Sequence, residues 1–155
     1  LLAEAGLYDQ TLIYATDLNE AVLEQARRGI YPLDRMRAYT GNYQKAGGTG
    51  SFGDYYAARY DAAVMEPDLK KNLVFSAHDL ATDGVFGEMD VIVCRNVLIY
   101  FEQKLQERVL GLFVQSLSPG GFLCLGSKET IRFSAHADTF EVFSGPERIY
   151  RKRDV

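Results

Sequence analysis

The chain is short of the residues that most often do chemistry by themselves. It has two cysteines and two histidines in 155 residues. His78 and His136 stand far apart and offer no metal-ligand spacing, so no metal is expected. Cys94 and Cys124 both lie in apolar, strand-like runs and read as buried free thiols of a cytosolic protein, not as a disulfide. Positive charge is not in excess either: the net charge is −4 and the pI about 5.2. A nucleic-acid binder, which needs a basic face, is thereby disfavoured. No run approaches the roughly 18 apolar residues of a membrane span, and no signal peptide is visible. No G-x-G-x-x-G or P-loop pattern follows a strand. Gly47-Gly48-Thr49-Gly50 lacks a preceding buried strand and is not read as a phosphate loop. No Ser-His-Asp or Cys-His set has support.

What is present is enough apolar material for a core, 47% of the residues, at a length typical of one domain. The opening LLAEAGLYD reads as the end of a helix, so the chain is expected to be a piece of something longer. Thr11–Thr16 is a strand closed by Asp17. Asn19–Arg28 is a short amphipathic helix stopped by Gly29. Asp34–Tyr39 reads as a helical turn or two, and the polar, glycine-rich stretch from Thr40 to Asp54 as a loop. Between Tyr55 and Phe75 a small hairpin competes with helix. Asn72–Ala77 is a second strand.

The run Met89–Cys94 (MDVIVC) is apolar but for Asp90, and reads as a strand buried on both faces. Polar residues follow it at once, Arg95 and Asn96, and then Val97–Phe101. Glu102–Leu117 is the clearest helix, with Leu105, Val109, Phe113 and Leu117 every fourth residue, ended by Pro119-Gly120-Gly121. Phe122–Leu125 is another buried strand. Phe140–Phe143 and Arg148–Arg151 read as a closing antiparallel hairpin. This order predicts an α/β fold: an open, mostly parallel sheet with helices on both faces.

In such sheets, ligands bind beyond the carboxyl ends of strands. Asp17 stands at such an end, placed either to hold the hydroxyls of an adenosine ribose or to cap the next helix, a task Asn19 can also do. Asp79-Leu80 is likewise either an adenine contact or the start of a turn. Arg95 needs an acidic partner or solvent, unless it lines the ligand crevice with Asn96. Tyr100 offers a ring and a hydroxyl, or is plain core. Arg27, Arg28, Arg35 and Arg37 read as a solvated face.

Taken together, ATDLNEAVLEQARRGIY, NLVFSAHDL, MDVIVCRNVLIYF, LSPGGFLCLGSKE and the terminal YRK resemble the chemotaxis receptor methyltransferases, the CheR family, over nearly the whole chain. The resemblance implies a Rossmann-like, S-adenosylmethionine-dependent methyltransferase fold, here N-terminally truncated. It implies methyl transfer to glutamate side chains on cytoplasmic helices of bacterial chemoreceptors, with S-adenosylhomocysteine as product. By similarity, Asp17 holds the ribose, Asp79 and Leu80 frame the adenine, Arg95 and Asn96 line the cofactor pocket, and Tyr100 sits beside the transferring methyl. Arg95 and Tyr100 are the residues expected to shape catalysis. The family usually has Asn where Asp79 stands. The stretch of about 41–78 would include a small β-subdomain that helps hold receptors. The family's first strand, glycine-containing cofactor loop and N-terminal helical domain would precede Leu1. The chain alone is therefore expected to be incomplete and inactive, with a sheet edge open to a partner or to self-association. The rival readings are a non-catalytic nucleotide- or partner-binding module of the same fold and a methyltransferase acting on small molecules.

Overall fold

The computed structural model describes residues 1–154. The chain divides into two compact units, Leu1–His78 and Asp79 onward.

In the first unit, β1 (Ile13–Asp17) runs parallel to β5 (Leu73–Ala77), pairing Ile13 with Leu73 and Asp17 with Ala77. Helix α1 (Glu20–Arg28) packs against both strands. Its N-cap is Asn19, whose side chain accepts from the Ala21 amide at 2.9 Å. Gly29 ends it in the left-handed region, φ 64°, which a side chain would resist. A second, antiparallel sheet has the order β2–β4–β3 (Ile30–Pro32, Ala62–Met65, Tyr56–Arg59). The hairpin reading of the Tyr55–Phe75 stretch is therefore the realised one. Three expectations change here. Helix α2 (Met36–Lys45) continues past Thr40 through Gly41, because burying Met36 and Tyr43 outweighs the low helix propensity of one glycine. The small sheet also begins earlier than residue 41, since Ile30–Pro32 form its outer strand, while β5 belongs to the parallel pair. Leu1–Gly6 forms turns, not helix.

In the second unit the sheet order is β6–β7–β9–β8 (Met89–Cys94, Leu117–Leu125, Ile149–Lys152, Phe140–Ser144). β6 and β7 are parallel, and β8–β9 is the expected antiparallel hairpin. Helix α3 (Gln103–Ser116) ends before Pro119, as a residue preceding proline avoids helical angles. Lys152 Nζ caps it, donating to the carbonyls of Val114 and Leu117 at 2.7 and 2.6 Å. The core joins Val109, Leu110 and Phe113 of α3 to Cys94, Leu123, Leu125 and Tyr150 of the sheet. Each such fully buried apolar side chain contributes about 1.5–3 kcal/mol.

The run Met89–Cys94 is not buried on both faces. Cys94 faces the core, but Val91 and Val93, on the opposite face, are 54% and 68% exposed. Alternation along the strand fixes this division. No helix among the described residues is long and apolar enough to cross a membrane.

Candidate functional site

The loop after β6 is built from its backbone outward. Cys94 closes the strand inside the core, and burial, followed by the Glu129 charge, pushes its thiol up to about 12. Asn96 takes a left-handed conformation, φ 60°, one that asparagine tolerates better than most residues. The residues after this turn are aimed differently: Leu98 goes into the core at 3% exposure, while Tyr100 stands 80% exposed. The Leu98–Tyr100 turn is 3-10 helical.

Two side chains hold this backbone. The Glu129 carboxylate is buried, 4% exposed. Its Oε1 accepts from the amides of Val97 and Leu98 at 2.9 and 2.8 Å. Its Oε2 accepts from those of Asn96 and Gly126 at 2.9 and 2.6 Å. From α3, Gln106 Nε2 donates to the carbonyls of Leu98 and Phe101 at 3.0 and 2.9 Å. The loop is thus gripped by an acceptor on one side and a donor on the other. Gly126 leaves room for this grip: a β-carbon there would stand 2.6 Å from Asn96 Oδ1 and 2.7 Å from Glu129 Oε2.

The side chains this loop presents are uncommitted. Arg95 is exposed, and its guanidinium has no ion pair among the described residues. Tyr100, at 80% exposure, is not core.

Asp79 lies in the same unit and is engaged differently. Its Oδ1 accepts from the Ala81 amide at 2.8 Å and its Oδ2 from Thr82 Oγ1 at 3.0 Å, while its own amide donates to Asp83 Oδ2. These bonds close a turn from Asp79 to Asp83. Arg108 of α3 fastens this turn, donating to the carbonyls of Ala81 and Asp83, each at 2.8 Å. Leu80 packs against the core that also takes Leu98.

Asp17 belongs to the first unit. Its Oδ1 accepts from the Asn19 amide at 2.8 Å. Asn19 does the helix capping, and Asp17 Oδ2 has no partner among the described residues. The arginines at 27, 28, 35 and 37 are exposed, as expected.

Glu129, Gln106 and Arg108 were not singled out from the sequence. Glu129 had one signal, its place at the end of the LSPGGFLCLGSKE stretch, just past a buried strand. Gln106 and Arg108 had none, because helix faces are full of such residues.

The glycine-rich stretch also has a physical role. The amides of Thr49 and Gly50 donate to the carboxylate of Glu4 at 3.2 and 3.3 Å. The anion they hold is the chain's own. Tyr43 and Tyr55 donate their hydroxyls to the same Glu4 carboxylate.

Comparison with known proteins gives concordant matches. The family described as "CheR methyltransferase, SAM binding domain" matches residues 2–149. "Putative methyltransferase Cher3" of Pseudomonas putida is 52% identical over 152 residues, covering 98% of this chain and 56% of that protein. A "Chemotaxis protein methyltransferase" of Vibrio parahaemolyticus is 34% identical over 149 residues, covering 94% of this chain and 51% of that one. The chain thus spans about half the length of the curated relatives it matches. Among solved structures, PKMT2 of Rickettsia typhi in complex with AdoHcy matches at a TM-score of 0.44, with 17% identity over 76% of this chain and 16% of that one. The family match spans nearly the whole chain, β6 and its loop included, and the chain belongs to the CheR methyltransferase family, matching its SAM binding domain.

Proposed function

We propose that the protein carrying this chain transfers a methyl group from S-adenosylmethionine to glutamate side chains of chemoreceptors, in the cytoplasm. The observation that carries this reading is the loop after β6. It holds Arg95 and Tyr100 out from a backbone fixed by Glu129 and Gln106, the arrangement a positioning catalyst requires. Names of relatives such as "Chemotaxis protein methyltransferase" support the substrate class.

The residues present suit the cofactor. Asp17 has an unengaged carboxylate oxygen for ribose hydroxyls. Asp79 orders the turn from which Leu80 would frame the adenine. Arg95 and Asn96 would line the pocket, and Tyr100 would flank the acceptor. When bound, S-adenosylmethionine supplies an electrophilic methyl on a sulfonium. A glutamate acceptor, with a pKa near ~4.3, is already ionised at neutral pH, so the protein needs no general base. The task left to Arg95 and Tyr100 is to orient the carboxylate and exclude water from it.

The test is isothermal calorimetry with S-adenosylhomocysteine and a methylation assay on receptor-derived glutamate peptides, both on the full-length protein. Binding together with turnover is expected. Binding without turnover would favour the non-catalytic module, and turnover on small acceptors alone would exclude the receptor assignment.

A further inference from the structure

We propose that Glu129 is a positioning residue for methyl transfer: its buried carboxylate sets the backbone of Asn96–Leu98, and so the aim of Arg95, Asn96 and Tyr100, without touching cofactor or acceptor. The inference rests on the function proposed above and deepens it.

Four backbone N–H groups converge on this one carboxylate, two on each oxygen. Three of them belong to consecutive residues, Asn96, Val97 and Leu98. Consecutive amides point to one spot only when the chain curls around it, and such concave sets of N–H groups select an anion. Here the anion is covalently part of the protein, brought from the segment after β7 by the Gly126–Glu129 turn, in which the Glu129 amide donates to the Gly126 carbonyl at 2.9 Å. The left-handed Asn96 is the residue where the curl begins. A strained conformation of this kind persists only where its surroundings over-determine it, and the carboxylate with Gln106 does so.

The chemistry of the clamp needs both oxygens to be acceptors. In Glu129→Gln one oxygen becomes an NH2 group. Whichever way that amide points, two backbone N–H groups then face another donor, so charge-assisted bonds are lost and a donor–donor repulsion is introduced. The shape and volume of the side chain barely change. Displacement follows at the loop, and sub-ångström to ångström misplacement of orienting groups costs rate more than it costs fold.

The experiment uses the full-length protein. For Glu129→Gln, the circular dichroism spectrum should match the wild type at a temperature well below the Tm. Affinity for S-adenosylhomocysteine and kcat/KM for methyl transfer should each fall, the latter on the order of 10-fold to 100-fold. Glu107→Gln is the control. Glu107 also accepts from a backbone amide, that of Ala135 at 3.1 Å, but lies outside the loop's grip, and its variant should keep wild-type kinetics. Should Glu129→Gln fail to fold, Gly126→Ala addresses the same clamp with the carboxylate intact, because its β-carbon intrudes on both Asn96 and Glu129. It should show the same loss. A folded Glu129→Gln or Gly126→Ala protein with wild-type affinity and kcat/KM overturns the inference. A wild-type protein that neither binds S-adenosylhomocysteine nor methylates receptor peptides overturns the proposed function instead.

Discussion

A β-carbon at Gly48 would stand 2.2 Å from the ring of Tyr43. The ring lies directly over the glycine backbone, and its hydroxyl accepts from the Gly50 amide at 2.9 Å. Gly48→Ala must therefore move the ring or the segment. Overpacking of this kind costs about 1–3 kcal/mol, which a urea titration should show as a lower midpoint at unchanged slope. Gly47→Ala has open space around its β-carbon but a left-handed φ of 90°, so its cost comes from backbone strain alone.

Glu4 joins the same cluster and makes it acid-sensitive. Hydrogen bonds from Tyr43, then Tyr55, lower its carboxyl from 4.5 to about 2. A carboxyl depressed in the folded state contributes stability that is fully present above its unfolded value and is lost as pH falls through the folded one. The loss should fall between about pH 4.5 and 2, and Glu4→Gln should flatten this part of the stability–pH curve. The tyrosines show the reverse side: Tyr55 is raised chiefly by its bond to Glu4, and Tyr43 is raised by burial and then by Glu4. In an absorbance titration of phenolate, these two should ionise at higher pH than a free tyrosine, and Glu4→Gln should bring them forward.

Cys94 should be a slow thiol. Burial, then the Glu129 charge, raises it to about 12, and the thiolate is the reactive form. Cys124 is raised too, again by burial, with Arg95 opposing the shift. Alkylation of the native protein at pH 8, followed by mass spectrometry, should label Cys124 before Cys94, with both rates far below those of the denatured chain. Rapid labelling of Cys94 in the native state would contradict its placement in the core.

Arg95 and Tyr100 should separate function from stability. Among the described residues neither side chain has a hydrogen-bond or ion-pair partner, so Arg95→Ala and Tyr100→Phe should each shift the unfolding free energy by no more than about 0.5 kcal/mol. Both should lower methyl transfer, Arg95→Ala with weaker S-adenosylhomocysteine binding as well. Untouched methyl transfer in both variants would remove them from the site.

The amino-acid sequence by itself determined the elements whose pattern is local. The fourfold spacing of Leu105, Val109 and Phe113 made α3. The apolar runs at β5, β6 and the end of β7 made strands, and the runs Phe140–Phe143 and Arg148–Arg151 marked the β8–β9 hairpin. The family motif around Arg95-Asn96 was also readable, since it is written in contiguous residues. What only the tertiary structure decided depends on groups far apart in the chain. Helix α2 outlasts its glycine because Met36 and Tyr43 are buried, the latter also bonded to the distant Glu4. Glu129 grips amides more than thirty positions away, for example that of Val97 across a separation of 32 residues. Hydrogen-bond partners at that range are chosen by folded geometry, where a buried carboxylate must find donors or cost several kcal/mol.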